Sequence, residues 1–177
     1  MTSLRKSAVP MWLHFSMNLR SVARLHSIPR LLRRFAQLDC RKRLLLAEAA
    51  YDLLAARLAL IFISFPRLAR RFGTLVSATD SPLSRASADP KQALIAVDVG
   101  WAVTRAARYV PFKPVCLPQA MAAHRMLRRR GVASVIHFGA AKGRVKPLDT
   151  HAWIDAAGVE VTGYPVAEQL TEIARFV

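Results

Sequence analysis

The stretch PVCLPQAMAAHRMLRRRG, residues 114–131, organises the chain. It carries Ala120, Met121, His124 and Leu127 at three- and four-residue spacing, which predicts a helix beginning at Cys116. Pro118 fits the first turn, where its missing N–H costs nothing. Arg128, Arg129 and Arg130 suit the negative end of the helix, and Gly131 suits the left-handed residue that closes it. The unpaired amides and the dipole at a helix start stabilise an anion, so a thiol placed there ionises more readily than a free one. Two readings of Cys116 stand at this point. It is a nucleophile, or it is a buried structural thiol, since unpaired cysteine is among the most buried residue types.

Working outward, the period changes from helical to alternating after Gly131. Val132 to Phe138 reads as a strand, with Val135 in the core and His137 on its face. A Gly/Lys/Arg-rich loop is expected from Gly139 to Asp149. His151-Ala-Trp-Ile-Asp155 is a second strand, Ala157-Gly158 a hairpin turn, and Val159 to Thr162 a third strand. Pro165 to Val177 places Val166, Leu170, Ile173 and Val177 on one stripe and is expected to be a final helix. On the other side, Tyr109 to Val115 is an extended approach held by Pro111 and Pro114. Before it, Asp89-Pro90 starts a helix over about 90–108 that carries Leu94, Val97, Trp101, Val103 and Ala106. Residues 74–89 read as a linker. From 31 to 73 the pattern is helical, with a long helix to about 64 and a short one over 66–72. Leu44, Leu45, Ala49, Leu53, Ala56 and Leu60 recur on one face of the long helix, and Arg41, Glu48 and Asp52 on another. Residues 1–30 form a basic arm in which Ala8 to Phe15 is the only apolar piece, with no small-residue cleavage site after it. The expected division is arm 1–30, helical region 31–73, linker 74–89 and catalytic domain 90–177. Helices followed by a Cys helix on a small antiparallel sheet make an α+β fold.

Composition bounds the function. The chain has 177 residues and a formal net charge of +16, which implies an acidic partner surface. Cys40 and Cys116 form no metal-type pair and no disulfide framework, which points to a reducing, cytoplasmic compartment. Leu58 to Pro66 is strongly apolar but is bracketed by Arg57 and Arg67, far short of the roughly twenty apolar residues of a membrane span. A basic amphipathic helix here leaves peripheral membrane contact open. The arginine runs lack the aromatic interleaving and the motifs of a specific nucleic-acid binder. A zinc site from Cys116, His137 and His151 matches no usual ligand spacing, and no cofactor motif is present.

A nucleophilic cysteine needs a base within hydrogen-bond reach, usually histidine. His14 and His26 lie in the basic arm. His124 is two turns along the same helix as Cys116, too far along the axis to touch its sulfur. His137 lies mid-strand. His151 begins a strand after a loop, beside Trp153, and a helix start packed on a sheet lies near strand ends. Cys116 with His151 is therefore the best pair. Trp153 either walls the site or packs in the core.

The runs PVCLPQA and LRRRG, the strand after them, and DTHAWIDAAGVEVTG resemble the leader peptidase of lasso-peptide biosynthesis, the transglutaminase-like cysteine protease half of the B protein. The resemblance covers roughly residues 31–165. It implies a transglutaminase/papain-like arrangement of the Cys helix on the sheet, with Cys116 as nucleophile and His151 as base. It further implies cleavage between leader and core of a ribosomally made precursor peptide, with a small leader-recognition protein and an ATP-dependent lactam cyclase as partners. The family's third member is an Asp on the strand beside the histidine strand, and here the sequence departs. If Ala156 pairs with Val159, then Trp153 pairs with Thr162, and the positions facing His151 fall at Thr162 to Tyr164, none of them acidic. Asp155 is the nominal candidate, though about 13 Å along the strand; Asp149 and Glu160 are no better placed. Thr162 or a backbone carbonyl orienting the imidazole is the alternative. An acyltransferase or amidase on the same scaffold, and a basic binding module for nucleic acid or membrane, are the other function classes.

Overall fold

Two helices start on aspartates whose side chains accept from the backbone two residues on. Asp39 accepts from the Arg41 N–H at 3.2 Å and Asp89 from the Lys91 N–H at 3.0 Å. They open α1 (Cys40–Phe62) and α3 (Pro90–Ala106), the latter with Pro at its first position. The computed structural model describes residues 35–70, 72–77, 89–142 and 148–177. Between the two helices lie α2 (Phe65–Ala69) and β1 (Leu75–Ser77). After them come α4 (Cys116–Arg129), β2 (Ser134–Lys142), β3 (Leu148–Ala156), β4 (Val159–Thr162) and β5 (Thr171–Phe176). The basic arm 1–30 and most of the expected linker lie outside the described residues.

The strands form one antiparallel sheet in the order β1-β5-β2-β3-β4, covered on one face by the helices. The fold is α+β, as the order of elements predicts. Ile136, Ile154, Ala156 and Phe176 meet Leu53, Val99, Val103, Met126 and Leu127 in a single core that α1 shares with α3 and α4. Strand alternation then decides the other face. Ile136, not Val135, points to the helices, because Ser134 must reach His124 of α4, with Oγ 2.9 Å from Nδ1. Val135 and His137 fall on the opposite face.

The expected final helix over Pro165–Val177 is instead β5, which pairs with β1 on one side and β2 on the other. The stripe at helical spacing buries nothing, since Ile173 and Val177 are exposed. Phe176 is the residue that reaches the core, against Phe72 and Phe138 at ring distances of 5.7 and 5.5 Å. Strand pairing here overrides a weak helical pattern. The start of the expected linker is β1, tied to the end of the chain by Thr74 N–H to Val177 O and Val177 N–H to Thr74 O.

The β3–β4 hairpin turns at Ala157-Gly158, both at positive φ (48° and 76°), as a two-residue turn of the primed type requires. Ala156 pairs with Val159 as expected, but an irregularity at Ile154/Asp155 moves the partner of Thr162 from Trp153 to Ile154. α3 buries its small side chains and leaves Leu94 and Val97 exposed, contrary to the sequence pattern. A Cβ on Gly100 would sit 2.6 Å from the Val161 carbonyl oxygen, so β4 passes too close for any larger residue there.

Candidate active site

Cys116 is the first residue of α4, half-buried, and Val115 before it supplies no side-chain cap. The first-turn N–H groups therefore have no side-chain acceptor, and they lie beside the thiol. Gln119 braces the approach by donating from Nε2 to the Pro114 carbonyl at 2.8 Å. Among the described residues the thiol itself makes no hydrogen bond.

The far end of α4 is anchored by charge. Arg129 and Arg130 reach Glu48 and the fully buried Asp52 on α1, with Arg125 3.4 Å from Asp52. The hydrogen bond from Arg130, with burial opposing it, holds the Glu48 carboxyl below its ordinary pKa. Two of the arginines read from the sequence as complements to the helix dipole, Arg129 and Arg130, thus also dock the Cys helix on α1, with Arg125 beside them. His124 fixes the height of α4 over the sheet through Ser134. Burial, with Arg128 nearby, pushes its pKa down, so it stays a neutral structural ring. From His124 back to Cys116 is about 12 Å of helix. Along β2 from Ser134, the same distance ends near Phe138, at roughly 3.3 Å per residue. Phe138 pairs with Ala152, the neighbour of His151. By these spacings the start of α4 overlies the end of β3 that carries His151, on the opposite side of the sheet from the His151 ring.

On β3, His151, Trp153 and Asp155 share the face turned from the helices. Among the described residues, β4 pairs only with Ile154–Ala156, and the chain that follows it runs on past Trp153 and Ala152 at Gly163. His151 Nε2 lies 2.6 Å from the carbonyl oxygen of Gly163, just past β4. A carbonyl only accepts, so Nε2 carries the proton and Nδ1 is the basic nitrogen of the neutral ring. Asp155 is not brought to His151. It accepts from the Tyr164 hydroxyl, and its Oδ2 lies 3.3 Å from Nε2 of His137. Thr162 is buried with its Oγ1 unpaired, and it does not orient the ring either. The group beside His151 is the main chain of Gly163, within the Thr162–Tyr164 window that the hairpin register indicates.

The arrangement is that of a helix-start cysteine and a strand histidine on an α+β scaffold, and residues 59–175 match the Transglutaminase-like superfamily. The chain belongs to the transglutaminase-like superfamily. No curated protein and no solved structure matches. Members of the transglutaminase-like superfamily generally work by cysteine-based catalysis. Among the described residues no group of three or more His, Cys, Asp or Glu could hold a metal ion, and no helix is long and apolar enough to cross a membrane.

Sequence reasoning missed Glu172 on this face, and it left the place of Trp153 and the backbone carbonyl beside His151 open. Trp153 is buried but lies outside the main core cluster. It is stacked with His137, at 5.4 Å and 3°, and with His151, at 6.0 Å and 20°. Glu172 on β5 lies 2.7 Å from His137 Nδ1. Its role was hidden because residues 171–176 read as helix. Gly163 contributes through its backbone, which no residue type announces.

Proposed function

We propose that the protein is a cysteine peptidase that removes the leader from a ribosomally made lasso-peptide precursor. The proton of the Cys116 thiol passes to Nδ1 of His151, and the sulfur bonds to the carbonyl carbon of the last leader residue. First-turn amides of α4 receive the oxyanion. The imidazolium returns its proton to the core peptide's nitrogen as the C–N bond breaks, leaving a leader thioester. Water, deprotonated by Nδ1, then releases the leader acid and restores the thiol. Gly163 holds the ring in the tautomer this requires, in the place of the absent carboxylate. The supporting observation is the 2.6 Å contact of His151 Nε2 with the Gly163 carbonyl. Cys116 approaches from the helix side and His151 from the other, so the two would meet around the end of β3 that carries His151.

The partners of this reading are the precursor peptide, a small leader-recognition protein and an ATP-dependent cyclase, in a reducing cytoplasm. The recognition protein with its bound leader suits the groove of about 630 Å³ lined by Leu46, Tyr51, Leu54, Tyr109 and Phe112. That groove has Arg105 and no carboxylate in its lining, which fits an apolar segment with acidic flanks.

The test is incubation of the full chain with a synthetic precursor and the recognition protein, followed by product mass. The expected products are leader acid and free core, absent with Cys116→Ala, whose far-UV spectrum stays that of the parent. Cleavage persisting in purified Cys116→Ala overturns the proposal. A product joined to an added amine would identify acyl transfer on the same thioester.

A further inference from the structure

We propose that His137 is a positioning residue for His151: clamped between Asp155 and Glu172, it presses on Trp153 and so fixes the face against which the His151 ring rests. The inference rests on His151 being the catalytic base, and it deepens that reading by adding a device on the next strand.

The pairing of β2 with β3 puts His137 directly opposite Trp153 and Gly139 opposite His151. The Trp153 ring leans over Gly139, where a Cβ would lie 2.8 Å from Cζ3. That lean takes the indole from beneath His137 to beneath His151, and it needs glycine at 139. The indole is therefore stacked with both imidazoles. The His137 ring is nearly parallel to the indole, at 3°, and its nitrogens point to the two carboxylates, 2.7 Å from Glu172 and 3.3 Å from Asp155. The charged groups around it come from three elements. β3 supplies Asp155, and β5 supplies Glu172 and Arg175, whose Nε is 3.2 Å from Glu172. Tyr164, after β4, donates to Asp155. With His137 protonated, two positive groups balance two carboxylates. Burial opposes that proton, but the ion pair with Asp155 and the hydrogen bond and charge of Glu172 outweigh it and raise the His137 pKa above its ordinary value. A cation held flat on an indole gains electrostatic attraction to the ring face, which stiffens the stack. Neither carboxylate touches His151, so the clamp holds the base in place without adding a formal charge to it.

Two readouts test this on the full chain. In the first, iodoacetamide alkylation of Cys116 is followed by peptide mass, so that the exposed Cys40 does not interfere. His137→Ala is expected to slow alkylation at neutral pH about tenfold, the scale of a loosened rather than deleted catalytic group. His137→Phe, which keeps the flat ring, is expected to retain part of the rate. In the second, ¹⁵N imidazole spectra are recorded across neutral pH. The His151 ring shifts should show a second inflection coincident with the titration of His137. Glu172→Gln should move both inflections to lower pH together, and a purely structural role for His137 would not do this. A single His151 inflection that Glu172→Gln leaves in place overturns the inference. Alkylation of Cys116 that is unchanged in His151→Ala overturns the underlying pair instead, and the ring spectra still decide the clamp.

Discussion

A carbonyl oxygen and a carboxylate both select which nitrogen of an imidazole carries the proton, but only the carboxylate adds a charge when the ring ionises. In this chain the selecting group is the carbonyl of Gly163, so the geometry of one peptide unit carries the role. Gly163 has φ +90°, and a Cβ there would lie 2.6 Å from the Ala152 carbonyl oxygen and 2.7 Å from Trp153 Cβ. Gly163→Ala is therefore expected to destabilise the fold by about 1–3 kcal/mol through overpacking and backbone strain. It should also slow Cys116 alkylation by moving the carbonyl off Nε2; denaturant titration and alkylation kinetics check the two effects separately. Gly139→Ala should displace the Trp153 ring, with its centroid contacts to both histidines lost in ring-current shifts. The placements of Cys116 at a helix start and of His151 on a strand were legible because each sits in a run whose pattern predicts that element. The group beside His151 was legible only as a backbone carbonyl or Thr162 within the window Thr162–Tyr164, because every residue has a carbonyl and the register decides which one arrives. Asp155 was a candidate by residue type alone, and its carboxylate is used by Tyr164 and His137.

At the scale of elements, α4 is held at one end by ion pairs and along its length by the core. Asp52 is fully buried while Arg129 is partly exposed, so the two halves of the pair are not equivalent to lose. Arg129→Met leaves a buried carboxylate with only Arg125 nearby and is expected to cost about 3 kcal/mol in a urea titration. Glu48 contributes with a definite sign. Its folded pKa is lowered, so its stabilisation is present above the unfolded value near 4.5 and is lost as pH falls through the folded one. Thermal melts taken downward from pH 5 should show a loss that Glu48→Gln removes. His137 has the opposite sign. Its raised pKa stabilises the fold fully below about 6.5, and that contribution fades as pH rises through the folded value. The helices were legible because Leu45, Ala49, Leu53 and Ala56 keep one face over about three turns. β5 was not, because its six residues have exposed Thr171 and Ile173, and its strand character comes from the two neighbours that bracket it. The exposure of Leu94 and Val97 was equally hidden. Only the closeness of β4 to Gly100 makes small residues the buried ones.

Over the whole molecule, the strongest unspent feature is the outer face of α1, where Leu44, Tyr51, Leu54, Leu58, Ile61 and Phe62 are exposed together. An apolar face of this length on a chain of net charge +16 is the surface on which the proposed function would seat its leader-recognition partner. Leu54→Glu is expected to leave alkylation of Cys116 unchanged and to weaken retention of the leader-recognition protein at least tenfold, read by calorimetry. Raising the salt concentration should weaken the same complex, since like-signed flanks attract an acidic partner only through screened charge. The sheet has its own consequence. β5 lies between β1 and β2, so strands near residues 76 and 137 both wait for a segment near 174. Such distant pairings close slowly. A nascent chain halted before residue 171 would hold a finished hairpin and a Cys helix, yet Phe138 would lack Phe176 and β2 would offer a bare hydrogen-bonding margin to any passing strand. Chaperone engagement of ribosome-bound intermediates should accordingly persist until that segment has left the exit tunnel.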